Sequence, residues 1–87
     1  MLETLTSPQN PKLQLVRALL DQPKARRKHN AFVAEGARVI EDGLNSSVPV
    51  EFALISSDPT PRAAELAKDP KLAGKLWQVE AKLFDTL

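Results

Sequence analysis

The sequence contains no cysteine, a single histidine and only three glycines. Without cysteine, neither a disulfide nor a thiolate metal site can brace the fold. One imidazole, at His29, argues against a histidine-based zinc centre. The glycines, Gly36, Gly43 and Gly74, stand in no phosphate-cradling spacing, which excludes a dinucleotide fingerprint and a P-loop. No apolar run approaches the roughly 20 residues of a membrane span. The opening residues, MLETLTSPQN, carry neither the basic head nor the apolar stretch of a signal peptide. These absences set the expectation of a soluble cytoplasmic protein with no membrane and no metal partner.

What remains is the composition of a small globular domain. Apolar residues make up 43% and charged residues 26% of an 87-residue chain, a balance unlike that of disordered segments. Chains this short bury about 60% of their surface, so the core has to be compact. The net charge of +1 conceals an asymmetry. Up to Ile40 there are seven Lys and Arg against three Asp and Glu; from Glu41 onward there are five against eight. Such localisation points to one anionic partner rather than to general stickiness.

Along the chain, Asn10-Pro11 supplies a cap and a first-turn proline. Leu13, Val16 and Leu20 follow at helical spacing with Leu19 beside them, and Pro23 ends that helix. The run Lys24–Lys28 reads as a further helical turn or a loop. Ala31–Ala34 is a short apolar run of the kind found in buried strands, and Glu35-Gly36 turns the chain. Ala37, Ile40 and Leu44 then mark a helical face, which Asn45-Ser46-Ser47 breaks. Val50–Ile55 is a second strand rich in branched and aromatic side chains. Thr60-Pro61 opens a short helix, Asp69-Pro70 interrupts it, Leu76–Val79 is a third strand, and Ala81–Leu87 begins another helix. Strands alternating with helices imply βαβ units and a largely parallel sheet.

The parts of a catalytic site are mostly missing. His29 sits among like charges, Ser46 and Ser47 are explained by helix breaking, and Glu41 and Asp42 occupy consecutive helical positions that do not face each other. The basic run KARRKH admits two readings. Lys and Arg at a helix end favour the negative pole of the macrodipole, which makes the run a solvated face. Alternatively, Arg26 and Arg27 offer planar donor forks to phosphate oxygens, with Lys24 and Lys28 as point charges, and His29 and Asn30 adding hydrogen bonds. Phe32 reads as core rather than as a stacking platform, and Trp77 as packed with its indole N–H partnered. Glu35 reads first as a cap of the next helix or a partner of a nearby arginine, and Asn10 as a cap.

The ordered series TSPQNPKLQLVRALL, then KARRKHNAFVAEGARVIEDGL, then a strand ending in Ser-Ser, resembles the N-terminal substrate-binding domain of the SpoU/TrmH family of RNA 2′-O-ribose methyltransferases. The features that carry the likeness are Thr6-Ser7, Asn10-Pro11, Lys24 with Arg26, Phe32, and Glu35-Gly36 followed by Arg38 and Glu41. Gln14 departs from the pattern, where relatives often carry a lysine. The resemblance covers most of the chain. It implies an α/β fold, a small three-layer αβα sandwich of the L30e/L7Ae-like kind with a mostly parallel or mixed sheet, as a single domain over 1–87 cut short at its C-terminal end.

It further implies that this domain holds ribosomal or transfer RNA for a separate C-terminal domain. That domain is knotted, binds S-adenosylmethionine and forms the homodimer; no cofactor is expected on this chain. The residues expected to meet RNA are Lys12, Arg17, Lys24, Arg26, Arg27, Lys28, His29 and Arg38, with Arg38 alternatively pairing with Glu35. Two other readings stay open: a free-standing RNA-binding module of the L7Ae type, and a protein-interaction domain whose basic patch is merely solvated.

Overall fold

The computed structural model describes residues 3–87. Its elements are β1 (Thr4–Leu5), α1 (Pro11–Asp21), α2 (Pro23–His29), α3 (Ala37–Leu44), β2 (Ala53–Ser56), α4 (Pro61–Leu66), a 3-10 turn (Pro70–Leu72), β3 (Leu76–Val79) and α5 (Ala81–Phe84). The three strands form one sheet in the order β1-β3-β2, and both pairings are parallel. This is an α/β single domain, and its sheet is parallel throughout.

Register explains the core. Leu5 lies opposite Val79, and Leu54 opposite Trp77. Because side chains alternate along a strand, Leu5, Val79, Trp77 and Leu54 share one face. Leu13 of α1 and Val79 are fully buried there with Leu5, and Leu83, Phe84 and Leu87 close around them. So α1 and α5 cover one side of the sheet. The opposite face carries Thr4, Gln78, Ala53, Ile55 and Leu76, with Gln78 Nε2 donating to Thr4 Oγ1 at 3.3 Å. Helices α3 and α4 pack on each other, spanned by an exposed Arg62–Glu41 ion pair at 3.3 Å.

The helix starts follow from the sequence chemistry. Asn10 Oδ1 accepts from the Lys12 N–H at 2.9 Å and Thr60 Oγ1 from the Ala63 N–H at 3.1 Å, each with proline at the next position. Leu13, Val16 and Leu19 are the buried stripe of α1, with Leu20 half-buried. Leu76–Val79 is a strand as its composition predicts. The second strand begins later than expected, at Ala53 rather than Val50, and runs on through Ser56.

The expected strand at Ala31–Ala34 does not form. Residues 31–35 lie outside the sheet, and among the described residues the backbone there makes one bond, from the Ala31 N–H to the Arg26 carbonyl at 3.1 Å. The position of first strand is taken instead by Thr4–Leu5, to which the sequence assigns no element. Its ladder is completed by the Gln78 N–H on the Glu3 carbonyl and the Glu80 N–H on the Leu5 carbonyl, both at 3.0 Å. Phe32 is accordingly not core: it is 68% exposed.

Leu13 at the centre of this arrangement should carry a large share of stability. Leu13→Ala is expected to lower the unfolding free energy by about 2–5 kcal/mol in urea titration. Val48→Ala, at a residue more than half exposed, should change it by less than about 0.5 kcal/mol.

Candidate nucleic-acid interface

The basic run is a helix. Pro23 occupies the first position of α2, where its missing N–H is harmless. Asn30 ends the helix in the left-handed region, at φ 49° and ψ 46°, and its N–H reaches the Arg26 and Arg27 carbonyls. Asparagine tolerates that conformation better than most residues. Arg26, Arg27, Lys28 and His29 make up the last turn, where the helix dipole favours positive charge. No residue of α2 is buried; the helix rests on α1.

Its cations separate into two kinds. Arg26 is half-buried and turned onto the end of α1, where Nη1 donates to the Leu19 carbonyl at 2.7 Å and to that of Leu20 at 3.4 Å. Those carbonyls lie in the last turn of α1 and lack intrahelical partners, so Arg26 satisfies them and fixes the angle between the helices. Lys24, Arg27 and Lys28 are exposed. Spaced i, i+3 and i+4, they share one helical face with neighbouring Cβ atoms about 5–6 Å apart. None of them has a carboxylate partner: among the described residues the ion pairs are Arg62–Glu41 and Lys68–Glu65. His29 is exposed at the end of the helix.

The remaining candidates lie on other elements. Lys12 sits with Nζ 4.4 Å above the Trp77 ring, a cation–π contact. Trp77 is half-buried and meets Phe52 edge-on, centroids 6.4 Å apart at 84°. No protein acceptor takes its indole N–H among the described residues. Arg17 donates to the Pro8 carbonyl at 2.9 Å and to Thr86 Oγ1 at 3.1 Å, tying the first turn to the end of the chain. Both side chains are therefore engaged within the domain. Arg38 is exposed on α3 and forms no ion pair with Glu35. Glu35 does not cap α3 either; Gly36 takes the cap position at φ 89°, without a side-chain bond.

Beside the exposed face of α2 lies an open depression of about 460 Å³, lined by Pro23, Arg26, Arg27, Asn30, Ala31 and Phe32. The sequence reading placed Phe32 in the core and so missed this feature. The absence of any partner strand for residues 31–35 is what exposes it, and single-sequence patterning carries no signal for that. A second depression, of about 200 Å³, is lined by Leu44, Ser46, Val48, Pro49, Val50, Lys71 and Lys75. Neither contains a carboxylate. Among the described residues no group of three His, Cys, Asp or Glu side chains is placed to hold a metal ion, and no helix is long and apolar enough to cross a membrane.

The division of labour between adjacent arginines is measurable. Arg26→Ala should lower the unfolding free energy by about 1–2 kcal/mol, since it removes charge-assisted bonds to helix-end carbonyls. Arg27→Ala should leave it within about 0.5 kcal/mol of the parent. Equal stabilities of the two variants in urea titration would contradict the assignment.

No curated protein and no solved structure matches the chain. One family model does, and it spans residues 10–87, from the cap of α1 through α5. It takes in the basic helix, the depression beside it and the two longer strands. The chain belongs to the MRM3-like substrate binding domain family.

Proposed function

We propose that this chain is the RNA-holding domain of a 2′-O-ribose methyltransferase of the SpoU/TrmH kind, working in the cytoplasm on ribosomal or transfer RNA. The observation that carries the reading is the exposed face of Lys24, Arg27 and Lys28, three cations without a carboxylate among them, on a helix anchored by Arg26. Like charges at i, i+3 and i+4 repel, and an anionic backbone laid along them relieves that repulsion. Family membership as a substrate-binding domain supports the same reading. Folded RNA is recognised largely through shape, phosphate and 2′-hydroxyl contacts, which a fixed array of cations suits. His29, in the last turn of α2, extends this contact set and Arg38 is exposed on α3, whereas Lys12 and Arg17 serve the domain's own packing first.

In this reading methyl transfer belongs to a separate domain, which binds S-adenosylmethionine and pairs the protein into a homodimer. The present chain contributes grip and orientation and takes no proton or methyl group.

Binding to a folded ribosomal RNA fragment, titrated with salt, tests the proposal. Three phosphate contacts give a slope of log K against log salt of about −2 to −2.7, so raising salt from about 50 to 200 mM should weaken binding about 20- to 40-fold. The triple variant Lys24→Ala, Arg27→Ala, Lys28→Ala should bind weakly with a nearly flat slope while melting as the parent does. Salt-independent association of the parent chain would overturn the reading.

A further inference from the structure

The depression beside α2 has features that phosphate binding does not require. Its lining brings together an aromatic residue, an arginine and an asparagine: Phe32, Arg27 and Asn30. Phe32 is 68% exposed, which forfeits the favourable transfer of its ring out of water if nothing ever covers it. The residues before and after it have defined backbone geometry. Upstream, Asn30 is locked in the left-handed cap and the Ala31 N–H is bound to the Arg26 carbonyl. Downstream, Gly36 begins α3 at positive φ. Arg26 is committed to the end of α1, and Arg27 lines the depression with no hydrogen-bond or ion-pair partner for its guanidinium among the described residues. The Asn30 side chain forms no hydrogen bond among the described residues, so its paired donor and acceptor are available.

The geometry points to a nucleobase-binding subsite: one unstacked base of a single-stranded RNA loop lies on the Phe32 ring, its edge meets the Asn30 amide, and its phosphate meets Arg27. The inference rests on the RNA-binding reading above and adds to it the part of the RNA that is gripped. Each element suits that occupant. Unstacked bases in loops stack on aromatic side chains and on arginine planes. An amide presents the donor and acceptor pair that complements a base edge. The depression is open rather than enclosed, so a planar base can enter while its ribose and phosphate stay on the cationic side. An aliphatic protein side chain would cover the ring equally well but would leave Arg27 and Asn30 without partners.

The test compares two RNAs of equal charge with the full 87-residue chain: a hairpin carrying 2-aminopurine in its loop and a blunt duplex without a loop. The hairpin should bind about 10-fold more tightly, with quenching of the loop fluorophore. Phe32→Ala should abolish the quenching and bring the hairpin down to the affinity of the duplex, without changing the salt slope. Should Phe32→Ala fold poorly, Phe32→Trp and Phe32→Leu decide the matter, since the first keeps an aromatic face and the second only apolar bulk. The tryptophan variant should retain the quenching and the leucine variant lose it.

Equal, salt-dependent binding of hairpin and duplex by the parent would overturn the base subsite while leaving the RNA reading intact. Unchanged hairpin affinity in Phe32→Ala, or equal loss for both RNAs, would overturn it as well. Failure of the parent to bind either RNA would bring down the subsite and the functional reading together.

Discussion

The guanidinium of Arg26 on the Leu19 and Leu20 carbonyls at the end of α1 decides where the basic face of α2 stands. A seven-residue helix has no independent stability in water, because nucleation outweighs so few propagation steps. Helix α2 also buries none of its own residues. It exists because it is clamped: proline at its start, an asparagine in the left-handed region at its end, and an arginine bound to the helix before it. Two problems are solved by the same contact. The end of α1 has carbonyls without partners, and the basic helix has no hydrophobic face with which to dock. Arg26 supplies donors to the first and an anchor to the second.

That clamp allows a local arrangement that propensity alone would resist. Like charges at i and i+4 destabilise a helix by about 0.2–0.5 kcal/mol per pair. Against an Arg26 anchor worth about 1–2 kcal/mol, the repulsion within Lys24, Arg27 and Lys28 is the smaller effect. The basic face is thus held ready in the absence of any partner, and less ordering is needed when an anion arrives. The acidic residues that could have neutralised it lie mostly beyond Ile40, and two of them pair with Arg62 and Lys68.

Local chemistry was legible in the sequence wherever it acts over a few residues. The caps at Asn10 and Thr60, the buried stripe of α1 and the span of β3 all follow from spacing and residue type. The parallel sheet follows from the alternation of elements. Choices between distant partners were not legible. Thr4–Leu5 is too short to show any period, and its place is set by β3, more than seventy residues away. Ala31–Ala34 has the composition of a buried strand, yet composition cannot say whether an edge is free to receive it. Arg26 and Arg27 are identical neighbours in the sequence, and only a rotation of about 100° about the helix axis sends one to α1 and the other to solvent.

This separation bears on how a substrate-binding domain achieves selectivity. Phosphate contacts fix register and orientation but carry no sequence information, so the face of Lys24, Arg27 and Lys28 would by itself hold many RNAs alike. Discrimination needs a group that senses what a duplex hides. An exposed ring beside that face is such a group, because a base reaches it only where the RNA is already unpaired. The grip would then favour loops over stems without reading a long sequence. Under the proposed function, such a preference would sort substrates before the chemistry: an unpaired nucleotide would be presented, and one within a stem would have nothing to set on Phe32. The chain reaches Phe32 from the end of that helix, through Asn30 and the Ala31 N–H on the carbonyl of Arg26, the residue whose side chain fixes the helix.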